Sequence, residues 1–306
     1  MKALITGSRG FVGGYLRREL EEHGYEVIGL DLVADKHTIQ ANLLDAAQMR
    51  KAIVSVHPDV VFHLAGQANV AQSWQIPQKT FELNVIGAIN LIEAVRATAS
   101  GTSLVLVGSS DQYGQLGAAG ERVHEDMEMH PQTPYAVSKQ TQEEMAQIYV
   151  RAYGMHICMT RSFNHIGPGQ RTGFLISDFA SGIVRIERGI DTCLHVGNLS
   201  SCRDFTHVKD VARAYRLIAE KGRLGEIYNV GSGRAYSAKD LLEQLRTMAK
   251  CPIAVEQDSA KMRPSDTPII CCDHAKLTRD TGWEPIIPFE SAMEEVLNYW
   301  RDSIQT

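Results

Sequence analysis

Tyr135 and Lys139 are the residues of this chain whose types and spacing most directly suggest chemistry. On an α-helix, residues four positions apart share a face, so the phenol and the ammonium can point into one site. A phenol with its ordinary pKa of about 10 is a poor proton donor or acceptor at neutral pH. Because a neighbouring cation favours the phenolate, we predict that Lys139 lowers the pKa of Tyr135 and suits it for acid–base catalysis. The same spacing also occurs by chance on solvated helices, so the interpretation depends on the elements around the pair.

A glycine-rich turn lies near the N-terminus, between a predicted strand over residues 2–6 and a predicted helix that runs to about residue 22. Its spacing is Gly7-x-x-Gly10-x-x-Gly13, which lets the backbone approach a pyrophosphate whose charge lies at the helix N-terminus. The next predicted strand ends in Asp31, which can accept hydrogen bonds from an adenosine ribose and would repel a 2′-phosphate. Arg9 is the counter-argument, because it could pair with that phosphate. NAD(H) or NADP(H) is therefore the predicted cofactor, with NAD(H) favoured.

Small and polar residues follow the later predicted strands. The strand over residues 60–66 ends in small residues, so a cofactor can pass closely; His63 within it is a catalytic candidate or, in the favoured interpretation, a strand-end residue. The strand over residues 103–107 delivers Ser109 to its carboxyl end, where ligands bind in open α/β sheets. The helix with Tyr135 follows and begins near Pro134. This alternation of strands and helices predicts an α/β fold with a Rossmann-like, doubly wound parallel sheet.

Composition excludes several classes of partner. The chain has 306 residues, 44% hydrophobic and 22% charged, with a formal net charge of -5, which gives no basic footprint for nucleic acid. Its six cysteines show neither zinc spacing nor a small disulfide framework, and we predict no metal site. No apolar run is long enough to span a bilayer, and the chain starts directly on an apolar strand. We therefore expect a cytoplasmic protein that binds neither nucleic acid nor membrane.

The glycine turn, Ser109 and Tyr135-x-x-x-Lys139, in this order and spacing, resemble the extended short-chain dehydrogenase/reductase family, which acts mainly on nucleotide-sugars. The resemblance implies that Tyr135 is the acid/base, that Lys139 lowers its pKa and holds the nicotinamide ribose, and that Ser109 orients the sugar hydroxyl or carbonyl. It also implies a set of cofactor-binding residues: Gly7, Arg9, Gly10, Phe11, Val12, Gly13, Asp31, Asn42, Leu43, Leu64, Ala65, Gly66 and Asn84, together with Tyr135 and Lys139.

The second half resembles one branch of that family. Residues 161–170, 197–205 and 262–266 are similar to segments of the GDP-mannose 4,6-dehydratase group, and the uninterrupted Phe-Asn-His-Ile-Gly-Pro-Gly-Gln and compact length look most like the bacterial GDP-6-deoxy-4-keto-D-mannose reductases. This implies NAD(P)H-dependent reduction of the C4 ketone of GDP-4-keto-6-deoxy-D-mannose to GDP-D-rhamnose. Two arginines converging on a diphosphate would give charge-assisted hydrogen bonds. The predicted substrate-binding residues are Ser110, Asn164, Arg203 and Arg263.

Asp111 departs from the branch, which usually carries Glu at this position, two residues before Tyr113. Dehydration needs a base at sugar C5, and a carboxylate set back by about an ångström can cost roughly 10²-fold in rate. Asp111 is thus a candidate catalytic residue that argues against a dehydratase, although it could instead cap the following turn. The alternatives are a GDP-sugar 4,6-dehydratase, a 4-epimerase, and a non-catalytic nucleotide-sensing protein of the same fold, against which Ser109, Tyr135 and Lys139 argue.

Two domains and a dimer are expected. We predict an NAD(P)-binding domain over residues 1–165 plus about 206–234, with a strand at 226–231 returning to the main sheet. A smaller α/β cap that binds the nucleotide-sugar would comprise about 166–205 plus 235–306. The resemblance implies a homodimer in which the helices at about 80–97 and 135–152 form a four-helix bundle. The apolar positions of the first helix could equally be core: Leu83, Ile86, Ile89, Ile92 and Val95.

Overall fold

A computed structural model of the protein describes residues 1–99, 101–114, 122–261 and 269–304. Its strands are β1 (Lys2–Thr6), β2 (Glu26–Asp31), β3 (Thr38–Gln40), β4 (Val60–His63), β5 (Ser103–Val107), β6 (Ile157–Ser162), β7 (Asn164–Ile166), β8 (Leu194–Val196), β9 (Cys202–His207), β10 (Ile227–Val230), β11 (Ala235–Ser237), β12 (Val255–Gln257) and β13 (Ile269–Ile270). Its α-helices are α1 (Phe11–Glu22), α2 (Ala46–Val56), α3 (Val70–Gln75), α4 (Pro77–Phe81), α5 (Gly87–Thr98), α6 (Pro134–Tyr153), α7 (Leu175–Glu187), α8 (Val208–Lys221), α9 (Ala238–Thr247), α10 (Ala275–Thr281) and α11 (Phe289–Ser303).

The large sheet has the strand order β10-β6-β5-β4-β1-β2-β3, and every neighbouring pair in it is parallel. The first three strands extend the sheet in one direction, and β4 then pairs with the other side of β1. In an open α/β sheet, ligands bind beyond the carboxyl ends of the strands at such a switch point. The predicted strand at 226–231 is confirmed, since β10 pairs with β6.

Helices cover both faces of the large sheet. Leu4 and Val61 belong to a buried apolar cluster with residues of α2, α5 and α6, whereas Ile5 and Phe62 belong to a second cluster with residues of α1 and α8. Successive strand residues point to opposite faces, and a parallel sheet needs both faces covered. This explains why these strands are almost continuously apolar.

A smaller α/β unit adjoins the large sheet. It contains a sheet in which β9 pairs with β7, β11 and β13, and a two-stranded pairing of β8 with β12. Residues of α7, α9 and α11 form its buried apolar core. The predicted class, a Rossmann-like doubly wound sheet with a smaller α/β cap, is confirmed.

A π-helical turn (Glu82–Ile86) joins α4 to α5, so the predicted helix at about 79–97 is present but irregular. A π-turn adds a residue to the helical repeat and is frequent at functional sites. It contains Asn84, which is 1% exposed. Across the described residues, we find no helix with the length and apolar composition needed to cross a membrane.

Candidate active site

The glycine turn after β1 packs against the end of β4. Gly7 has a φ of 70°, and a Cβ there would lie 2.9 Å from the backbone of Ala65. At Gly13 a Cβ would lie 2.5 Å from the carbonyl oxygen of Ser8. Side chains at these two positions would fill the turn or clash with it, so the sequence keeps an open cradle.

Helix α1 begins at the edge of this cradle. Its N-cap, Gly10, makes no side-chain capping hydrogen bond, and the first turn contains no acidic residue. The N–H groups at a helix start therefore remain suited to an anion. Together with the missing side chains, this fits the pyrophosphate of a dinucleotide, with Phe11 and Val12 in the first turn of the helix.

Asp31 lies beside the turn, as predicted. One of its carboxylate oxygens accepts a hydrogen bond from the Arg9 backbone N–H at 3.0 Å, and the other accepts one from the Leu32 N–H at 2.7 Å. The Arg9 guanidinium forms an ion pair with Asp35 at 2.8 Å. The Asp31 carboxylate is thus fixed beside the glycine turn, and the charge of Arg9 is partly neutralised by Asp35.

The residues after β3 and β4 form the next part of this edge. The Asn42 side chain accepts a hydrogen bond from the Leu44 N–H at 3.0 Å, and Leu43 packs beneath Gly87 of α5. The part-buried Leu64 follows β4. His63 is buried, and its Nδ1 contacts Thr6 Oγ1 at 2.8 Å.

The His63 ring has a structural environment. Burial, with a smaller contribution from the Lys139 charge, lowers the pKa of His63 to about 3. The ring is therefore neutral at physiological pH and is a poor acid–base group there. This favours the strand-end interpretation over the catalytic one.

Asn84 ties three segments together. Its Oδ1 accepts the Gln67 N–H at 2.7 Å, and its Nδ2 donates to the Gln67 carbonyl at 3.0 Å and to Ser138 Oγ at 2.9 Å. A Cβ at Gly66 would lie 2.6 Å from Asn84 Oδ1 and 4.0 Å from the Lys139 ammonium nitrogen. The loop after β4, the π-turn and the start of α6 therefore converge on one place.

Helix α6 carries the predicted catalytic pair. Thr133 caps it by accepting the Ala136 N–H at 3.0 Å. Tyr135 and Lys139 are both buried, at 8% and 7% exposure. The Lys139 ammonium donates to the Val107 carbonyl at 2.8 Å and to Gln142 Oε1 at 2.9 Å. Burial lowers the pKa of Lys139 to about 8, so the cation is held at neutral pH by these acceptors.

The predicted lowering of the Tyr135 pKa is wrong. Burial raises that pKa above its ordinary value, the Asp111 charge raises it further, and a hydrogen bond with the Ser109 side chain only partly opposes them. The Lys139 ammonium is engaged with Val107 and Gln142, and the loss of hydration dominates. Tyr135 is therefore a protonated phenol at neutral pH, and the Ser109 side chain lies close enough to affect its pKa.

The predicted substrate residues lie partly at this edge and partly in the cap. Ser110 is buried directly after Ser109. Asn164 begins β7, which runs parallel to β9, the strand that carries Arg203. The Arg203 guanidinium donates to the Cys202 carbonyl at 2.8 Å. Arg263 lies outside the described residues.

Asp204, next to Arg203, was not predicted from the sequence. Its buried carboxylate accepts hydrogen bonds from the backbone N–H groups of Ser232 and Gly233, each at 2.8 Å, and of Cys272 at 3.0 Å, and from the Ser232 hydroxyl at 2.7 Å. It thereby joins β9 to two loops that are distant in the sequence.

Gln112 and Gln142 were also missed. Gln142 holds the Lys139 ammonium, and nothing in the sequence marks it except its place one helical turn further on. Gln112 accepts the Ser109 N–H at 2.9 Å and completes a capping box on the short 3₁₀ turn after β5. Ser109-x-x-Gln112 is the sequence signature of that motif and could have revealed it.

The chain is similar to known proteins over nearly its whole length. The family model for GDP-mannose 4,6 dehydratase matches residues 4–296. The GDP-6-deoxy-D-mannose reductase of Pseudomonas aeruginosa is 31% identical, over 99% of this chain and 98% of that protein. The structure of RMD from Pseudomonas aeruginosa complexed with NADPH has a TM-score of 0.89 at 32% identity and covers 99% of both chains. The UDP-glucose 4-epimerase of Thermus thermophilus, complexed with NAD, has a TM-score of 0.89 at 28% identity, over 99% of this chain and 100% of that one.

Proposed function

The chain belongs to the GDP-mannose 4,6-dehydratase family, and on that premise we propose that it is an NAD(P)-dependent GDP-sugar enzyme of the short-chain dehydrogenase/reductase type. Its specific reaction would be reduction of the C4 ketone of GDP-4-keto-6-deoxy-D-mannose to GDP-D-rhamnose. The observation that carries this proposal is the buried Tyr135, which has the buried Ser109 beside it and Lys139 one turn further along the same helix. A reductase must supply a proton to the ketone oxygen, and a weakly acidic phenol suffices because hydride transfer turns that oxygen into a strongly basic alkoxide.

Tyr135 would give its proton to the oxygen of the C4 ketone as that carbon accepts a hydride. The Ser109 hydroxyl would hydrogen-bond the same oxygen, and the Lys139 cation would stabilise the phenolate that remains. When bound, the reduced nicotinamide supplies the hydride and is left oxidised. The residues that would hold this cofactor are those of the glycine cradle, Asp31 and the loop after β4. General acid catalysis of this kind contributes roughly 10²- to 10⁴-fold in rate.

We propose NAD(H) over NADP(H) as the preferred form. The support is Asp31, whose negative charge beside the glycine turn would repel a 2′-phosphate, and Arg9, which is already paired with Asp35. The related structures differ, since one contains NADPH and the other NAD. Values of kcat/KM for NADH and NADPH, measured on the wild type and on Asp31→Ser, test this preference. A shift of the variant toward NADPH is expected, and a wild type that prefers NADPH would contradict it.

We propose that the cap binds the GDP-sugar. The NAD(P)-binding domain would be residues 1–165 plus about 206–234, and the nucleotide-sugar-binding domain about 166–205 plus 235–306. The support is that β10 belongs to the large sheet, whereas β8, β9 and β11 to β13 form the separate small sheets. Arg203 would bind the diphosphate together with Arg263, and Asn164 and Ser110 would contact the sugar-phosphate.

A dehydratase or 4-epimerase is the second candidate. The family description favours a dehydratase, and Asp111 lies close enough to Tyr135 to raise its pKa. These reactions regenerate their cofactor, whereas the reductase consumes one NAD(P)H for each ketone. Purified enzyme should therefore oxidise NADH or NADPH stoichiometrically when GDP-4-keto-6-deoxy-D-mannose is added. Conversion of GDP-mannose to the keto-sugar without added reductant would overturn the reductase proposal.

We propose a homodimer through the helices of residues 77–98 and α6. Ile92 and Val95 are buried core, but Ile86 is 49% exposed, and on α6 Val137 is 38% and Ile148 46% exposed. Such a pair of helices with exposed apolar residues would pack against its copy in a four-helix bundle. Sedimentation of Ile86→Glu and Ile148→Glu should show monomers. Val54→Glu, which changes an equally exposed apolar residue on α2, is the control and should sediment like the wild type.

A further inference from the structure

We infer that a buried chain of hydrogen bonds through Gln112, Glu143 and Arg161 positions Ser109 against Tyr135. This inference rests on the proposed function, because it assigns positioning residues to that reaction. Gln112 and Glu143 would act through the Ser109 turn and through α6, and not directly on the reacting atoms.

The chain of contacts begins at the Ser109 backbone. The Ser109 N–H donates to Gln112 Oε1 at 2.9 Å, and Gln112 Nε2 donates to Glu143 Oε2 at 2.9 Å. The Arg161 guanidinium donates to the same carboxylate through Nε at 3.0 Å and Nη2 at 2.7 Å. Gln112 is fully buried, and the side chains of Arg161 and Glu143 are 4% and 5% exposed. These bonds therefore form in an environment where water cannot replace a lost partner.

Glu143 links this network to helix α6, which carries Tyr135. Glu143 follows Lys139 by four residues and Tyr135 by eight, so all three lie along one face of α6. The hydrogen bonds of Glu143 therefore fix the position of α6 along its axis and its rotation about that axis, and with them the position of the Tyr135 phenol. The partner of Glu143 on one side is the Ser109 turn, and on the other side it is β6 through Arg161.

The buried ion pair between Arg161 and Glu143 contributes fixed geometry more than stability. An ion pair buried this deeply gains little net stability over apolar side chains of the same volume, because both charges lose their hydration. What it does provide is fixed geometry, since the bidentate guanidinium–carboxylate contact admits few orientations. Gln112 extends this geometry by one hydrogen bond to the residue that must meet Tyr135. A shift of about an ångström in a reacting group can cost on the order of 10²-fold in rate.

Gln112→Met is the direct test, because methionine keeps the volume of the side chain and removes both hydrogen bonds. We expect kcat with GDP-4-keto-6-deoxy-D-mannose to fall by about 10- to 100-fold, while both KM values and the NAD(P)H dissociation constant stay unchanged. Gln147→Met is the matched control: Gln147 also lies on α6, but its amide donates to the Gly225 carbonyl, away from Ser109. A wild-type kcat in folded Gln112→Met would overturn the inference.

A second variant separates positioning from loss of folding. Gln112→Glu keeps an acceptor for the Ser109 N–H but places a second carboxylate against Glu143, so it should lower kcat more than Gln112→Met does. If folded Gln112→Glu melts like the wild type and keeps the wild-type kcat, the inference is wrong.

The reductase function and the positioning role of Gln112 can be tested separately. If the wild type oxidises no NAD(P)H with the keto-sugar, the proposed reductase function is wrong. A crystal structure of Gln112→Met still tests the network in that case, because the Ser109 hydroxyl should move away from the Tyr135 hydroxyl. An unchanged distance between the two hydroxyl oxygens in the variant would contradict the positioning role for any reaction.

Discussion

The end of the large sheet and the cap hold their polar side chains by different means. In the large sheet, the five-residue strand β5 and the 20-residue helix α6 deliver Ser109, Tyr135 and Lys139. In the cap, β9 is flanked by strands of only two or three residues, and the Asp204 carboxylate gathers donors from β9's neighbours. In the large sheet, regular backbone elements position the catalytic candidates. In the cap, the Asp204 side chain holds the loops around β9 together.

This difference matches the different demands that catalysis and substrate binding place on the two regions. Groups that must meet a reacting atom within a fraction of an ångström gain from rigid elements whose cores lie on both faces of a sheet. A region that receives a substrate can depend on a few hydrogen bonds between its loops. Changes at the large sheet should therefore reduce kcat, and changes in the cap should raise KM or destabilise the fold.

Tyr135→Phe should show the largest effect. Removing the hydroxyl removes the proton donor, so we expect kcat to fall by roughly 10³-fold while cofactor affinity stays largely intact. Steady-state kinetics and NAD(P)H titration measure the two quantities. Tyr149→Phe is the control, because Tyr149 lies on the same helix and interacts with Glu93 instead. An unchanged rate in Tyr135→Phe would remove this tyrosine from the mechanism.

Asp204→Ala should destabilise the cap and leave the chemical step largely unchanged. It leaves the N–H groups of Ser232, Gly233 and Cys272 buried without their acceptor, which should cost roughly 3 kcal/mol in the free energy of unfolding. KM for the GDP-sugar should rise, and kcat of the folded enzyme should change little. Urea unfolding and kinetics test this. A variant with wild-type stability would show that Asp204 does not hold the cap together.

Lys139→Met should abolish activity and yet stabilise the protein at neutral pH. Burial lowers the pKa of Lys139 from 10.5 to about 8, so the charged form is held against a cost. That cost is about 3 kcal/mol, and the two buried acceptors that lose their donor cost at least about 1 kcal/mol each, so we expect a gain of at most about 1 kcal/mol in the free energy of unfolding at about pH 7. This places the cost of a buried charge at a residue that serves the proposed chemistry.

The pH dependence of this gain has a definite sign. Between the folded pKa of about 8 and the unfolded value of 10.5, the unfolded wild type binds more protons, so wild-type stability rises with pH relative to the variant. The difference between the two proteins in urea unfolding should therefore narrow as pH rises through this window. A difference that widens, or a variant that is less stable at neutral pH, would contradict the assignment.

Arg203→Gln should have the smallest effect, and that effect should be on substrate binding and not on the chemical step. Loss of a charge-assisted contact to a diphosphate is expected to raise KM for the GDP-sugar by about tenfold while leaving kcat at saturation unchanged. Arg246→Gln is the control in the cap, because Arg246 pairs with Glu243 on the surface of α9. A fall in kcat without a change in KM would mean that Arg203 contributes to the reacting site.

The sequence by itself determined the local pieces of this protein. The glycine turn, the acid at the end of β2 and the Tyr135–Lys139 spacing depend on residues a few positions apart, where strand and helix geometry leave few choices. The alternation of apolar strands and amphipathic helices then predicted the fold class, because a parallel sheet needs a covering helix between successive strands.

Only the tertiary structure decided the electrostatics and the positioning. The pKa of Tyr135 moved opposite to the prediction because burial is the sum of many segments, whereas the i, i+4 argument saw only Lys139. The contact from Gln112 to Glu143 joins residues 31 positions apart, and that from Asp204 to Cys272 joins residues 68 apart. Such hydrogen bonds carry no local signature, because their partners become neighbours only when the sheet and its helices have packed.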